Sequence, residues 1–464
     1  MSIRKLYICT LNGLKYGHLP LFIAVMAQFV MGTYFLINFS TFKSIDETVL
    51  LYYYVSTVLL YYYVSTVLLY YYVSQIVMTM ASCNLASFLL SNIKKGVFKK
   101  MSIQDAKMPK IVKGSEDVLN LLGERVDQLI SLDIPSRNVS HMLYRFARDK
   151  HSEPLAMAAA QLLKDNIKPG DYVLIGTGWP DRPHVNPDIA ETDGPPGAAV
   201  LARALHIGLG AVPIVLIEEH LVSRMEIVLE ATGMRVISPE EALEAYHYHA
   251  AIHAGSVIGF PSDFSLAEKK AKNLIKQFKP SAVISVEKGG MNNKNEIHTS
   301  RGAETTKWMA KVDLLFKEAT QHNIATIGIG DGGNEIGMGN IRKNIERHIP
   351  YGKTCRCGCG GGIAPANEVD VLVVSSISNW GAYGIAANLA ALCEDIDVLH
   401  DRELEERLLK RSADARFIDG ITGYVDASAD GLRWPVHAAF VTLLRETVLQ
   451  ALKSMKGLKS SSCL

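Results

Sequence analysis

What most constrains this chain is an alternation. Strand-length apolar runs, each ended by glycine and small polar residues, are separated by segments of helical periodicity. The runs cover residues 171–175, 212–217, 235–237, 282–286, 324–329 and 369–374. Helical spacing covers 118–132, 136–150, 154–163, 196–205, 221–231, 304–322, 381–393, 402–410 and 435–456. Strands joined through helices pair in parallel, and their near-continuous apolar character requires cover on both faces. The expected fold is therefore α/β: a three-layer α/β/α sandwich with a mostly parallel, Rossmann-like sheet. In such sheets ligands bind beyond the carboxyl ends of the strands.

Those ends carry the polar residues. The richest stretch, 327–340, reads IGIGDGGNEIGMGN. Small or absent side chains at Asp331, Gly332, Gly333 and Asn334 let the backbone bend sharply, and Asp331 or Asn334 would cap a following helix, leaving N–H groups free for a carboxylate or phosphate. The other ends carry Gly176-Thr177-Gly178, ETDGPPG at 191–197, Glu218-Glu219-His220, Glu287 and Ser378-Asn379-Trp380-Gly381. Several acids with few cations point to a divalent metal or to proton transfer rather than anion storage. Glu218, Glu219 and His220 read as a solvated loop. Cys355, Cys357 and Cys359 alternate ahead of three glycines, but structural zinc takes four ligands and paired Cys-x-x-Cys spacing is absent, so a reduced, metal-free loop is expected.

An apolar N-terminal segment, residues 1–100, precedes this domain, with the boundary expected near residues 101–115. It holds eight Lys or Arg against two acids, net +6, so the remaining 364 of the 464 residues carry −5 to give the total of +1. No basic stripe marks the rest, which argues against nucleic acid as a partner. Residues 19–39 are long enough and apolar enough for a transmembrane helix, and a second charge-free run, 48–93, repeats VLLYYYVST from Val49 and Val58 and VLLYYYVSQ from Val67. Letter-for-letter identity of this kind suggests tandem duplication in the DNA or a faulty gene model, since structural repeats share a pattern and not every residue. If residues 19–93 insert, the flanking lysines and arginines place the domain on the cytoplasmic or matrix side of a membrane. A cleaved segment leading to the mitochondrial matrix is the alternative.

GTGWP, ETDGPPGA, GIGDGGNEIGMGN and SNWGAYG resemble, in this order and spacing, the C-terminal domain of the D-glutamate cyclase family, lyases that convert D-glutamate to 5-oxo-D-proline with loss of water. The resemblance covers roughly residues 115–455, nearly all of a domain expected at 115–456, and does not extend to the large N-terminal hydratase-like domain of the animal mitochondrial enzyme. It implies an amino acid substrate and three chemical tasks: a base for the amine, an oxyanion stabiliser, and an acid or metal for the leaving oxygen. Asp331 and Glu335 are the first candidates for base or metal ligand, with Asp193 next to them unless it merely caps the helix at Pro195. The amides of Gly178, Gly332 and Gly333 would hold an oxyanion or carboxylate, and Asn334 and Asn379, with Thr192 and Ser378 of the flanking motifs, would orient the substrate. Arg301 reads as a surface residue. Two other classes stay open. Gly328, Gly330 and Gly333 match G-x-G-x-x-G, which fits a phosphate- or nucleotide-handling enzyme. The apolar segment fits a non-catalytic, membrane-tethered ligand-binding protein.

Overall fold

The computed structural model describes residues 114–461, all in the part of the chain that follows Lys110. The apolar runs expected to insert in a membrane, within residues 19–93, lie outside the described residues. Among the described residues no helix is long and apolar enough to cross a membrane.

Three helices open the domain: α1 (Ser115–Ile130), α2 (Ser140–Arg148) and α3 (Leu155–Asn166). The apolar residues of α1 recur every four, and Val118, Leu122, Val126 and Ile130 are buried as that spacing requires. Asp127, on the same face, is buried too. Its carboxylate accepts from the amides of Leu155 (2.7 Å) and Ala156 (3.1 Å) and from the Tyr144 hydroxyl (3.0 Å). One helix thus supplies the cap for another, because the residue before α3 is Pro154 and offers none.

There follow β1 (Tyr172–Gly176), α4 (Pro195–Leu209), β2 (Val212–Glu218), α5 (Val222–Ala231), β3 (Arg235–Val236), α6 (Pro239–His247), β4 (Ala254–Phe260), α7 (Phe264–Phe278), β5 (Ala282–Val286), α8 (Asp313–Gln321), β6 (Ala325–Gly330), α9 (Arg342–His348), β7 (Val371–Val374), α10 (Ser378–Leu392), α11 (Arg402–Asp414), β8 (Ser428–Ala429), β9 (Leu432–Arg433) and α12 (Trp434–Ser461). The first seven strands form one sheet in the order β3-β4-β2-β1-β5-β6-β7, parallel throughout. The chain winds outward from β1 in one direction through β2 and β4, then restarts beside β1 with β5 and winds the other way. That reversal opens a crevice beyond the carboxyl ends of β1 and β5.

One face of the sheet is covered by α4 and α10, the other by α7 and α8. Every residue of α10 from Ser378 to Ala391 is buried, and α1, α3 and α12 pack around it. A helix apolar on all sides belongs in such a place. Its glycines set the distances: a Cβ on Gly381 would lie 2.6 Å from Ile329 Cγ2, and one on Gly384 2.9 Å from Ile130 Cγ2.

Two expectations need correction. The helix foreseen over 304–322 is broken into a 3-10 turn, Thr306–Trp308, and α8. Tertiary contacts override the helical pattern between them: the buried Lys311 ammonium donates to the carbonyls of Thr306 and Met309, and Asp313 accepts from the Met291 amide at 2.7 Å. The stretch from 239 to 278, where patterning assigned nothing, holds α6, β4 and α7.

Candidate active site

Register brings the strand ends level, with Gly176 beside Ser285, Val286 beside Ile329 and Gly330 beside Val374. The residues that follow these strands converge. Asp193, Glu287 and Asp331, all buried, each present a carboxylate oxygen within 4.8 Å of the others. Glu287 sits in the left-handed region at φ 47°, a conformation that costs a residue with a side chain about 1–3 kcal/mol. The Ser378 hydroxyl donates to it at 2.5 Å.

Asp193 does not cap its own helix, whose N-cap is Gly194. Its Oδ1 accepts from the Gly194 amide (3.1 Å) and, across the crevice, from the Asn379 amide (2.9 Å), while Oδ2 accepts from the Ser378 amide (2.9 Å). Asn379 returns the contact: its Oδ1 accepts from the amides of Gly194 (3.0 Å) and Gly197 (2.7 Å), and its amide group donates to the Thr192 carbonyl (3.3 Å). The starts of α4 and α10 therefore cap each other. Both positive helix ends face the acids. Gly197 makes the approach possible, since a Cβ there would lie 2.8 Å from Asn379 Cα. The Thr192 hydroxyl is used structurally, donating to the Ile418 carbonyl at 2.9 Å.

The glycine-rich turn after β6 differs from expectation. No helix starts there; Glu335 bridges to Gly289, and a 3-10 turn begins only at Met338. The amides of Asp331 (3.2 Å), Gly332 (2.6 Å), Gly333 (2.9 Å) and Asn334 (2.9 Å) all donate to the carboxylate of Glu335 itself. The anion cradle foreseen in this turn is thus filled from within the chain, which removes it as a phosphate site. The Asn334 side chain turns away to donate to the His298 carbonyl at 2.8 Å.

Asp331 points into the crevice. Arg137, from the loop between α1 and α2, grips it through two parallel hydrogen bonds of 2.8 and 2.7 Å and also pairs with Asp430 at the tip of the β8–β9 hairpin. Burial disfavours charge on Arg137, but Asp331 and Asp430 more than offset this and hold it protonated. Burial pushes the Asp193 carboxyl up to about 7, reinforced by Asp430 and opposed by the Asn379 and Ser378 amides. Burial likewise raises Asp331 well above the usual carboxylate range, with Arg137 pulling the other way. Glu287 is raised by burial and then by Asp331 and other acids. Glu191 is raised by burial and Asp430. Three packed carboxylates cannot all ionise beside one guanidinium without further positive charge. Their oxygens could hold a hard divalent cation.

Other expected positions fall elsewhere. Gly178 takes φ 92°, and its carbonyl accepts from the Lys288 ammonium at 2.7 Å. Glu218 is not solvated: it is buried in an ion pair with Lys288 and accepts from the Ala310 amide at 3.0 Å. The sequence placed it at a strand end, and the buried Lys288 ammonium, which also donates to the Gly178 carbonyl just past β1, is the charge that compensates it inside. Glu219, His220 and Arg301 are exposed.

The family described as D-glutamate cyclase-like, C-terminal, matches residues 126–445. The chain belongs to this D-glutamate cyclase-like family. Human mitochondrial D-glutamate cyclase is 25% identical to it over 353 residues, which are 70% of this chain and 51% of the human protein. The chain thus spans about half the length of the curated relative it matches. The D-glutamate cyclase-like match contains the acidic cluster and two of its neighbours that the sequence did not single out, Arg137 and Asp430. Arg137 has no motif around it and could not have been found. Asp430 could: Asp430-Gly431 between short strands is a two-residue hairpin turn, with Ala429 paired to Leu432.

Proposed function

We propose that this chain is a D-glutamate cyclase-like lyase that closes D-glutamate to 5-oxo-D-proline and releases water. The observation that carries the reading is the buried Asp193, Glu287 and Asp331 cluster with Arg137 at the switch point of the sheet, in a chain of this family.

The ring closes when the substrate amine loses a proton, attacks its own γ-carboxyl carbon and expels a hydroxide, which leaves as water on protonation. Asp331, whose ionised form Arg137 supports, suits the base. Among the described residues Glu287 forms no ion pair, and burial and the neighbouring acids favour its neutral form, which suits the proton donor to the leaving oxygen. Asp193 fixes the two helix starts, and Glu335 fixes the turn that aims Asp331. The Arg137 guanidinium, partly exposed, suits a substrate carboxylate. With a divalent cation bound, Asp193, Glu287 and Asp331 would instead all be ionised as its ligands, and the cation would polarise the γ-carboxyl group in place of the Glu287 proton. The name of the human relative supports a mitochondrial matrix setting.

The test is incubation of the purified full chain with D-glutamate and with L-glutamate, each with EDTA, magnesium or manganese, while 5-oxoproline is followed by chiral chromatography. Product from the D isomer is expected. A folded chain that yields none under any of these conditions overturns the reading.

A further inference from the structure

Away from the acids, His298, Cys355, Cys357 and Cys359 bring one nitrogen and three sulfurs within 4.8 Å of one another. We propose that these four residues form a structural zinc site. The inference is independent of the reading given to the acidic cluster.

The metal-free expectation rested on a missing fourth ligand, and His298 supplies it from a loop some sixty residues upstream. Its Nε2 lies 3.1 Å from Cys357 Sγ and 3.7 Å from Cys359 Sγ, and Cys355 Sγ lies 3.4 and 3.3 Å from those two sulfurs. With Zn–S near 2.3 Å and Zn–N near 2.0 Å, tetrahedral geometry asks for edges of about 3.5–3.8 Å. These four distances lie within a few tenths of an ångström of that requirement. A disulfide would bring two sulfurs to about 2.05 Å, and no pair here is near that.

The surroundings fit an ion as well. His298 is buried, its Nδ1 has no hydrogen-bond partner, and the polar groups facing its Nε2 are sulfurs. Thiols are weak hydrogen-bond partners, so without a metal this imidazole is poorly compensated for its burial. The chain coils tightly enough to turn alternate cysteines to one centre because Gly358, Gly360 and Gly362 take φ 81°, 74° and 66°. Two N–H groups point at Cys359 Sγ: the Gly361 amide at 3.4 Å and the Asn292 side chain at 3.5 Å. Donors aimed at a sulfur suit a thiolate ligand. The same Asn292 group donates to the Gly362 carbonyl at 2.7 Å, pinning the loop. Through the Asn334 bond to the His298 carbonyl, the ion would also anchor the turn that carries Asp331.

The experiment uses the full chain, without an affinity tag, expressed with added zinc and dialysed. Elemental analysis is expected to find one zinc per chain, released in step with modification of thiols by an organomercurial. Cobalt in its place is expected to give the intense visible bands of a tetrahedral thiolate site. Cys359→Ser is expected to lose the zinc, or bind it at least tenfold more weakly, and Asp331→Asn to keep it. Wild-type protein that binds no zinc while all seven cysteines react freely overturns the proposal. So does zinc that survives the Cys355→Ser, Cys359→Ser double variant but leaves with Asp331→Asn, and the wild-type measurements decide the matter even if a variant fails to fold.

Discussion

Asp331 is held by two hydrogen bonds from one guanidinium, so a single atom exchange there touches both chemistry and architecture. Asp331→Asn keeps the size and one acceptor but gives up the charge that takes a proton. General-base assistance is worth about 100- to 10,000-fold, so D-glutamate turnover, measured where both proteins are folded, is expected to fall by that order, and the melting temperature is expected to fall as well because the Asn amide sets a donor against an Arg137 N–H. Near-normal turnover would remove Asp331 from the chemistry. Asp127 tests charge of another kind. Burial raises its pKa from 3.8 to about 6, so between those values the folded protein binds more protons than the unfolded chain. The Asp127 contribution to stability then falls as pH rises from about 4 to about 6 and levels off above. In urea titrations across this range Asp127→Asn is expected to show a shallower fall than the parent; an unchanged slope would refute the assignment.

At the level of elements, α10 shows where packing outweighs propensity. Alanine is favoured over glycine in a helix by about 1 kcal/mol, yet a Cβ at Gly381 would meet Ile329 Cγ2 at 2.6 Å and Ser375 Oγ at 2.8 Å. Overpacking a core costs about 1–3 kcal/mol. Gly381→Ala is therefore expected to lower the urea midpoint, and a rise would show that the sheet yields there. The sequence displayed this helix, the strands and their order of alternation, because apolar runs of the right length bounded by glycine have few other uses. It showed β4 and α7 poorly, since Ala254–Phe260 has two glycines and α7 is amphipathic with much charge. In the candidate site, the motif residues Asp193, Asp331 and Asn379 could be seen as polar groups at strand ends. Their contacts could not, because Glu335 turning back on the amides of residues 331–334 and Arg137 crossing from another loop depend on three-dimensional closure.

At the scale of the molecule, the sheet and both helical layers lie within the residues after Lys110. A chain of residues 111–464 is expected to fold cooperatively and stay soluble, with a circular dichroism melting curve of one transition. Aggregation of that fragment beside a soluble full chain would show that the first 110 residues take part in folding. The mutual capping of α4 and α10 has a consequence for synthesis. Asp193 and Asn379 stand 186 residues apart, so a ribosome has long since released the first before the second emerges. Until then the Gly194 and Gly197 amides lack their Asn379 acceptor, and Glu287 waits without the Ser378 hydroxyl. A nascent chain halted between β6 and β7 would own most of the sheet and none of the closed crevice, which makes the acidic centre a late product of translation and a report that the chain has been read through.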